Sequence, residues 1–170
     1  MKPSRAVSWP AIAALAILVG ALWSGRASSG AHGVMPKIEL PVLGSPGTVV
    51  LDACPTPRCL TVYVSPWCPH CRRSGPVIKA VEDDVRRRGV TARVIVGDDT
   101  DRAVRAYAAY FGPGTLLDPG ALFPQDGVPT AYVSDAQGRI LSKTFGLPES
   151  SPPSDPAELR GIERRNFGLP

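Results

Sequence analysis

Past residue 47 the chain switches between short β-branched runs and stretches whose apolar residues recur at helical spacing. "TVVLDA" (48–53) and "LTVYVS" (60–65) are compact apolar runs, and the two prolines of the intervening "CPTPRC" suit a turn, so the pair predicts a hairpin. From Cys68 to about Arg88 the period lengthens, with Val77, Ile78, Val81 and Val85 on one helical face. Along the same helix Glu82, Asp83 and Asp84 each stand four residues before Arg86, Arg87 and Arg88, which predicts three ion pairs on a solvated helix end. "ARVIVG" (92–97) reads as a strand, and a second helix runs from about Thr100 to Phe111. The acidic cluster Asp98, Asp99 and Asp101 is read as capping, through Asp99 or Thr100, rather than as a cation loop.

"GPGTLLDPGALFPQDG" (112–127) breaks the regularity with four glycines and three prolines and reads as a loop longer than ordinary connections. "TAYVS" and "ILSKTF" then form a hairpin around "DAQGR", and a Ser/Pro linker leads to a last helix opened by Asp155-Pro156-Ala157-Glu158. Leu159 and Ile162 give that helix its apolar stripe. The order ββαβα(loop)ββα predicts an α/β fold, with a central mixed sheet flanked by helices and a β-hairpin at the N-terminal side.

A length of 170 residues with 44% hydrophobic content supports one domain with a real core. Ahead of it, Lys2 and Arg5 precede an uncharged stretch, Ala6 to Trp23, that fits a cleaved signal peptide or a short membrane anchor. The expected plan is signal or anchor with linker over 1–31, linker over 32–47 including His32, and the folded domain over 48–168. Lys2, Arg5 and Arg26 also account for most of the net charge of +4, so the domain carries no electrostatic footprint for nucleic acid. Export places the domain in an oxidising, periplasmic or otherwise extracytoplasmic compartment, which changes how its four cysteines are read.

Cys68 and Cys71 stand three apart at the start of the first helix, so they share a face and reach each other across its first turn. Metal ligands, a structural bridge and a redox couple are the three options. At the helix N-terminus the unsatisfied backbone N–H groups favour Cys68 as an ionised nucleophile, Pro69 loses no needed donor there, and His70 adds a donor or cation beside the sulfurs. An ionised sulfur stabilised in the reduced state makes the disulfide the stronger oxidant.

Trp67-Cys68-Pro69-His70-Cys71, after a hydrophobic strand and with Pro76 five residues on, resembles the active-site turn and kinked first helix of the thioredoxin superfamily. Val128-Pro129-Thr130 followed by "AYVSDAQGRILSKTFG" is similar to that superfamily's cis-proline loop and last hairpin, and the Pro-His dipeptide is that of DsbA-type disulfide oxidases. The resemblance spans roughly residues 48–168. It implies a thioredoxin fold and protein thiol-disulfide exchange, with an exposed Cys68 as nucleophile, His70 tuning it and Cys71 as the buried resolving thiol. Pro129 is implied to be cis, although Val128–Pro129 taken alone would be trans. Trp67, Pro69, Val128 and Thr130 are implied to meet the substrate peptide.

No cofactor and no metal is implied, and the partners would be client proteins with cysteines and a membrane or soluble partner that resets the couple. The oxidase direction is favoured. The rivals are a membrane-tethered reductase of the cytochrome c maturation type and a thiol metallochaperone. One departure bears on this choice: the superfamily places a buried carboxylate six residues before the first cysteine, where this chain has Val62.

Cys54 and Cys59 admit a local disulfide across "PTPR", a zinc site completed by Cys68 and Cys71, or a second redox pair. If 60–65 is one strand, Cys59 and Cys68 lie roughly 20 Å or more apart at about 3.3 Å per residue, which opposes the zinc site and any relay. The local disulfide is the expectation. Tyr63, Tyr107, Tyr110 and Tyr132 are read as packing residues.

Overall fold

Ten elements follow one another in the computed structural model, which describes residues 33–169. They are β1 (Glu39–Pro41), β2 (Thr48–Val50), β3 (Arg58–Val64), α1 (Pro69–Arg87), β4 (Thr91–Gly97), α2 (Asp101–Phe111), β5 (Leu116–Asp118), β6 (Thr130–Asp135), β7 (Ile140–Phe145) and α3 (Pro156–Asn166). The expectations for residues 1–31 and for His32 lie outside the described residues. Among the described residues no helix is long and apolar enough to cross a membrane.

The main sheet has the order β5-β4-β3-β6-β7. Strand β3 is central because six of its seven residues are buried, the near-continuous apolar signature of a strand covered on both faces. It pairs parallel with β4 and antiparallel with β6, and β4 pairs parallel with β5 across the α2 crossover. Helix α1 turns Val77, Ile78, Val81 and Val85 inward, as their spacing predicts. Thr100 caps α2 by accepting from the Ala103 N–H at 3.3 Å, and Asp155 caps α3 by accepting from Ala157 at 2.8 Å. The expected mixed sheet with flanking helices is present.

Four local expectations are corrected. An N-terminal hairpin exists, but β2 pairs with β1 rather than with β3. β3 is instead claimed by β4 and β6, which pair with it on both edges. The stretch read as linker through residue 47 folds from Val34 onward and buries Met35 and Leu40. The long loop contains β5, three buried residues fenced by Gly114 and Pro119 and too short to show a period. In α1 the Glu82–Arg86 and Asp84–Arg88 pairs form at 2.8 Å, but Asp83 is taken by Lys79 at 2.8 Å and Arg87 turns to Asp84 at 3.0 Å. Glu82 is buried rather than solvated, and burial raises its carboxyl against the opposing pull of Arg86 and Lys79.

Leu40, 0% exposed, tests whether the segment before residue 48 belongs to the domain. Leu40→Ala is expected to lower the unfolding free energy by about 2–5 kcal/mol in a urea titration, the cost of a core leucine. A residue in a linker would change it by under about 0.5 kcal/mol.

Candidate functional site

One end of the sheet collects the residues that the sequence singled out. β3 and β4 finish there and β6 begins there, because β4 runs parallel to β3 and β6 antiparallel. The chain leaves β3 at Val64, turns through Ser65-Pro66-Trp67, and starts α1 with Cys68 as its N-cap in extended conformation (φ −80°, ψ 116°). As a cap, the Cys68 sulfur accepts from the Cys71 N–H at 3.4 Å, one of the donors the helix cannot satisfy internally. Pro69 occupies the first turn, where its missing N–H costs nothing. Both thiols are free.

The two sulfurs are not equivalent. Cys71 is fully buried and its sulfur accepts from the Ser65 N–H at 3.5 Å. Burial above all pushes the Cys71 thiol far above the ordinary cysteine range; the Ser65 N–H opposes this and the neighbouring Cys68 adds to it. Cys68 was expected to be exposed, but only 3% of it is accessible. Capping turns its sulfur back over the helix, and its Sγ lies 3.6 Å from the Val128 carbonyl oxygen as a donor. Val62, at the position read as lacking a carboxylate, is buried among apolar side chains.

Tyr63 of β3 pairs with Thr130 of β6, and this register sets the Val128-Pro129-Thr130 loop beside the cysteines. The Val128–Pro129 peptide is cis. Thr130 Oγ1 donates to the Gly127 carbonyl at 2.6 Å, and the Pro129 carbonyl accepts from the Gly146 N–H at 3.0 Å. On the other flank the half-exposed Trp67 donates its indole N–H to Asp98, at 2.8 Å to the carbonyl and 3.2 Å to Oδ2. Asp98 has φ of 57°, a left-handed backbone that aspartate tolerates and that aims its carbonyl at the indole. Trp67 and Pro69 thus flank Cys68 along the chain, Trp67 held from the end of β4, while the loop before β6 brings the Val128 carbonyl to the Cys68 sulfur.

His70 makes no hydrogen bond to a cysteine sulfur; its hydrogen-bond partners are Glu149 and Arg73. Its Nδ1 pairs with the Glu149 carboxylate, which also takes Arg73 Nε at 2.5 Å and the Arg73 terminal nitrogen at 3.2 Å. Arg73 first and His70 second hold the Glu149 carboxyl down to about 2. Glu149, 79 residues from His70, sits in a stretch that composition marks as linker, so no sequence signal pointed to it. Between this cluster and Pro129 lies a cavity of about 190 Å³ lined by His70, Val128, Pro129, Phe145, Leu147 and Glu149.

Two tyrosines read as packing residues also carry polar ties. Tyr107 donates its hydroxyl to the Cys71 carbonyl at 2.8 Å. Tyr63 donates to Asp118 at 3.1 Å, and Asp118 in turn accepts from the Leu122 and Phe123 N–H groups. Asp118 thereby orders the turn after β5 without touching the cysteines.

Cys54 and Cys59 are bonded to each other across the "PTPR" turn, with Cα atoms 5.7 Å apart. Neither is then available as a ligand, and Cys59 opens β3 while Cys68 follows its end. No group of three or more His, Cys, Asp or Glu side chains that could hold a metal ion occurs among the described residues.

No family model matches the chain. It is 29% identical to sulfhydryl oxidase 1 of Gallus gallus over 93% of its own length, and spans only 23% of that protein. A Chlorobium tepidum protein named as a DsbE thiol:disulfide interchange protein superposes with a TM-score of 0.58 at 19% identity, covering 79% of this chain and 93% of that one. A DsbF homologue from Corynebacterium diphtheriae gives 0.55 at 20% identity, covering 81% and 88%. The domain has the thioredoxin fold.

The unequal sulfurs make two observable predictions. Brief iodoacetamide treatment of the reduced protein near neutral pH should label Cys68 and leave Cys71 unlabelled until unfolding, as read by peptide mass spectrometry. Because the Cys71 thiol is raised in the fold, the unfolded chain ionises first as pH climbs through the ordinary cysteine range, and stability is lost there. From roughly pH 8 to 10 reduced wild type should lose stability relative to Cys71→Ala, whereas equal slopes would contradict the burial argument.

Proposed function

We propose that this chain is an extracytoplasmic protein thiol-disulfide oxidoreductase working through Cys68 and Cys71, with oxidation of client thiols as its favoured direction. The observation that carries the reading is the capping geometry: one sulfur closes the first turn of α1 and the other lies buried one turn along. A helix N-terminus stabilises negative charge on the capping atom, and Cys68 is the atom so placed.

The steps follow from that asymmetry. A client thiolate attacks the Cys68 sulfur of the oxidised pair, forming a mixed disulfide and expelling the Cys71 sulfur, which takes up a proton. A second client thiolate attacks the client sulfur of the mixed disulfide and expels Cys68 as a thiolate. The client loses two electrons and the pair gains them; a membrane or soluble partner then removes them. The Val128 carbonyl beside Cys68, with Pro129 lacking an N–H, offers an extended client a strand edge next to the reacting sulfur.

Every step is reversible, and burial of Cys71 slows its passage through the ionised form in both directions. Direction therefore rests on how far the fold stabilises Cys68 as the leaving thiolate, which the helix terminus favours. The second reading, a membrane-tethered reductase, draws on the likeness to the DsbE-named structure, although Val62 leaves β3 without a carboxylate to serve Cys71. The metallochaperone reading weakens because the Cys54–Cys59 bond leaves two thiols and a histidine already tied to Glu149. Residues 1–31 would deliver the domain across the membrane and be cleaved or remain as its anchor, and 33–169 would form the working unit.

Equilibration with glutathione discriminates between these readings. The oxidase reading expects a potential well above the roughly −270 mV of thioredoxin, toward the roughly −120 mV of DsbA. Cys71→Ser should accumulate a mixed disulfide with a cysteine peptide, and Cys68→Ser should abolish exchange altogether. A potential at or below that of thioredoxin would favour the reductase, and stoichiometric zinc or copper with no exchange would favour the metal module.

A further inference from the structure

The segment after β7 is fastened to the start of α1 in a way that the exchange steps do not require. Gly146 donates its N–H to the Pro129 carbonyl, and Ser74 Oγ donates to the Leu147 carbonyl at 3.0 Å. Leu147 is buried, so the segment is held by an apolar anchor as well as by hydrogen bonds. Two residues further on, Glu149 reaches two side chains of the first helical turns, His70 and Arg73. Both are exposed, yet Arg73 and His70 also lie within 3.1 Å of each other through an Arg73 nitrogen and His70 Nδ1. The Glu149 carboxylate bridges these two side chains and holds them together.

We infer that Glu149 is a positioning residue of the Cys68–Cys71 couple, its carboxylate drawing His70 and Arg73 onto itself and withholding the imidazole donor and the guanidinium charge from the Cys68 sulfur. The inference deepens the oxidoreductase reading and rests on it. His70 stands between the two cysteines in sequence, and Arg73 carries charge that the Cys68 thiolate feels. With Glu149 ionised throughout the physiological range, its charge offsets that of Arg73 and it occupies His70 Nδ1, so the dipeptide acts on Cys68 mainly through dipoles. The couple is then less oxidising than Cys-Pro-His-Cys alone would make it.

The chemistry that reports on this is the exchange of the pair with glutathione. Two glutathione thiols reduce the Cys68–Cys71 disulfide to a dithiol and become one glutathione disulfide, so two electrons move. Cys71 keeps one proton, and at neutral pH the Cys68 proton passes to solvent to the extent that its thiolate is stabilised. Removing a negative charge near Cys68 favours that thiolate and shifts the equilibrium toward the reduced protein.

The experiment compares the full chain with Glu149→Gln, His70→Ala, the double variant, and Glu158→Gln as a distant surface control on α3. Glu149→Gln should favour the reduced pair about threefold to tenfold in the glutathione equilibrium at low salt, the size expected of one screened charge near a protein surface. The shift should fall by at least half in the His70→Ala background and shrink in 1 M salt, while Glu158→Gln leaves the equilibrium within twofold of wild type. A purely structural tie would instead leave the equilibrium unmoved or change it equally with and without His70, and either result overturns the inference. If wild type exchanges with glutathione but Glu149→Gln stays within twofold of it, this inference alone fails. If wild type does not exchange at all, the oxidoreductase reading fails and takes this inference with it.

Discussion

The donor that the Cys71 backbone offers to the Cys68 sulfur, at 3.4 Å, is where the demands of folding and of chemistry coincide. A helix must satisfy the N–H groups of its first turn, and side-chain oxygens ordinarily do so. Here a sulfur does it, and the same placement brings a polarisable thiol into the field of the helix terminus. Everything nearby serves to hold that cap. Strand β3 delivers the chain to the right point, Arg72 clasps the Pro66 carbonyl with two bonds at 2.9 and 2.6 Å, and Tyr107 ties the Cys71 carbonyl from α2.

The flanking strands matter for the same reason. The Trp67 indole is held by the residue after β4 and the Val128 carbonyl is presented by the residues before β6, so the cap sits between the neighbours of the central strand. Parallel pairing on one side and antiparallel on the other bring a strand end and a strand start to the same edge. In open α/β sheets ligands meet the chain at such carboxyl-end crevices. The cavity beside Pro129 lies at this edge.

Much of this was legible because it is local. The helix face of α1, the extent and cap of α2, the hairpin of β6 and β7, the cap of α3, and the Cys54–Cys59 bond depend on residues within one turn or one loop of each other. What escaped reading depends on pairing at a distance. β1 is three residues long, too short for a period, and only its register with β2, read as a strand but given the wrong partner, shows that the segment from residue 39 belongs to the domain. β5 is hidden among glycines and prolines, and its burial comes from β4. At the site, both cysteines, Trp67 and Pro129 stand out in the sequence, but the near-complete cover over Cys68 comes from tertiary packing that no spacing encodes. Glu149 is the clearest case: its neighbours in sequence are polar and prolines, and its meaning comes wholly from a helix turn on the far side of the chain.

The second pair of cysteines bears on how such a chain reaches its working state. Four cysteines permit three complete pairings, and the one bond present, Cys54–Cys59, belongs only to the pairing that joins each cysteine to its nearest neighbour along the backbone. Cys54 and Cys59 are five residues apart, so closing their ring costs little chain entropy and needs no other part of the domain to be in place. Once β3 is extended, the crossed alternatives would have to bridge its whole length. Proximity thus sorts the thiols before tertiary structure arrives, locking one pair into the scaffold and leaving Cys68 and Cys71 free.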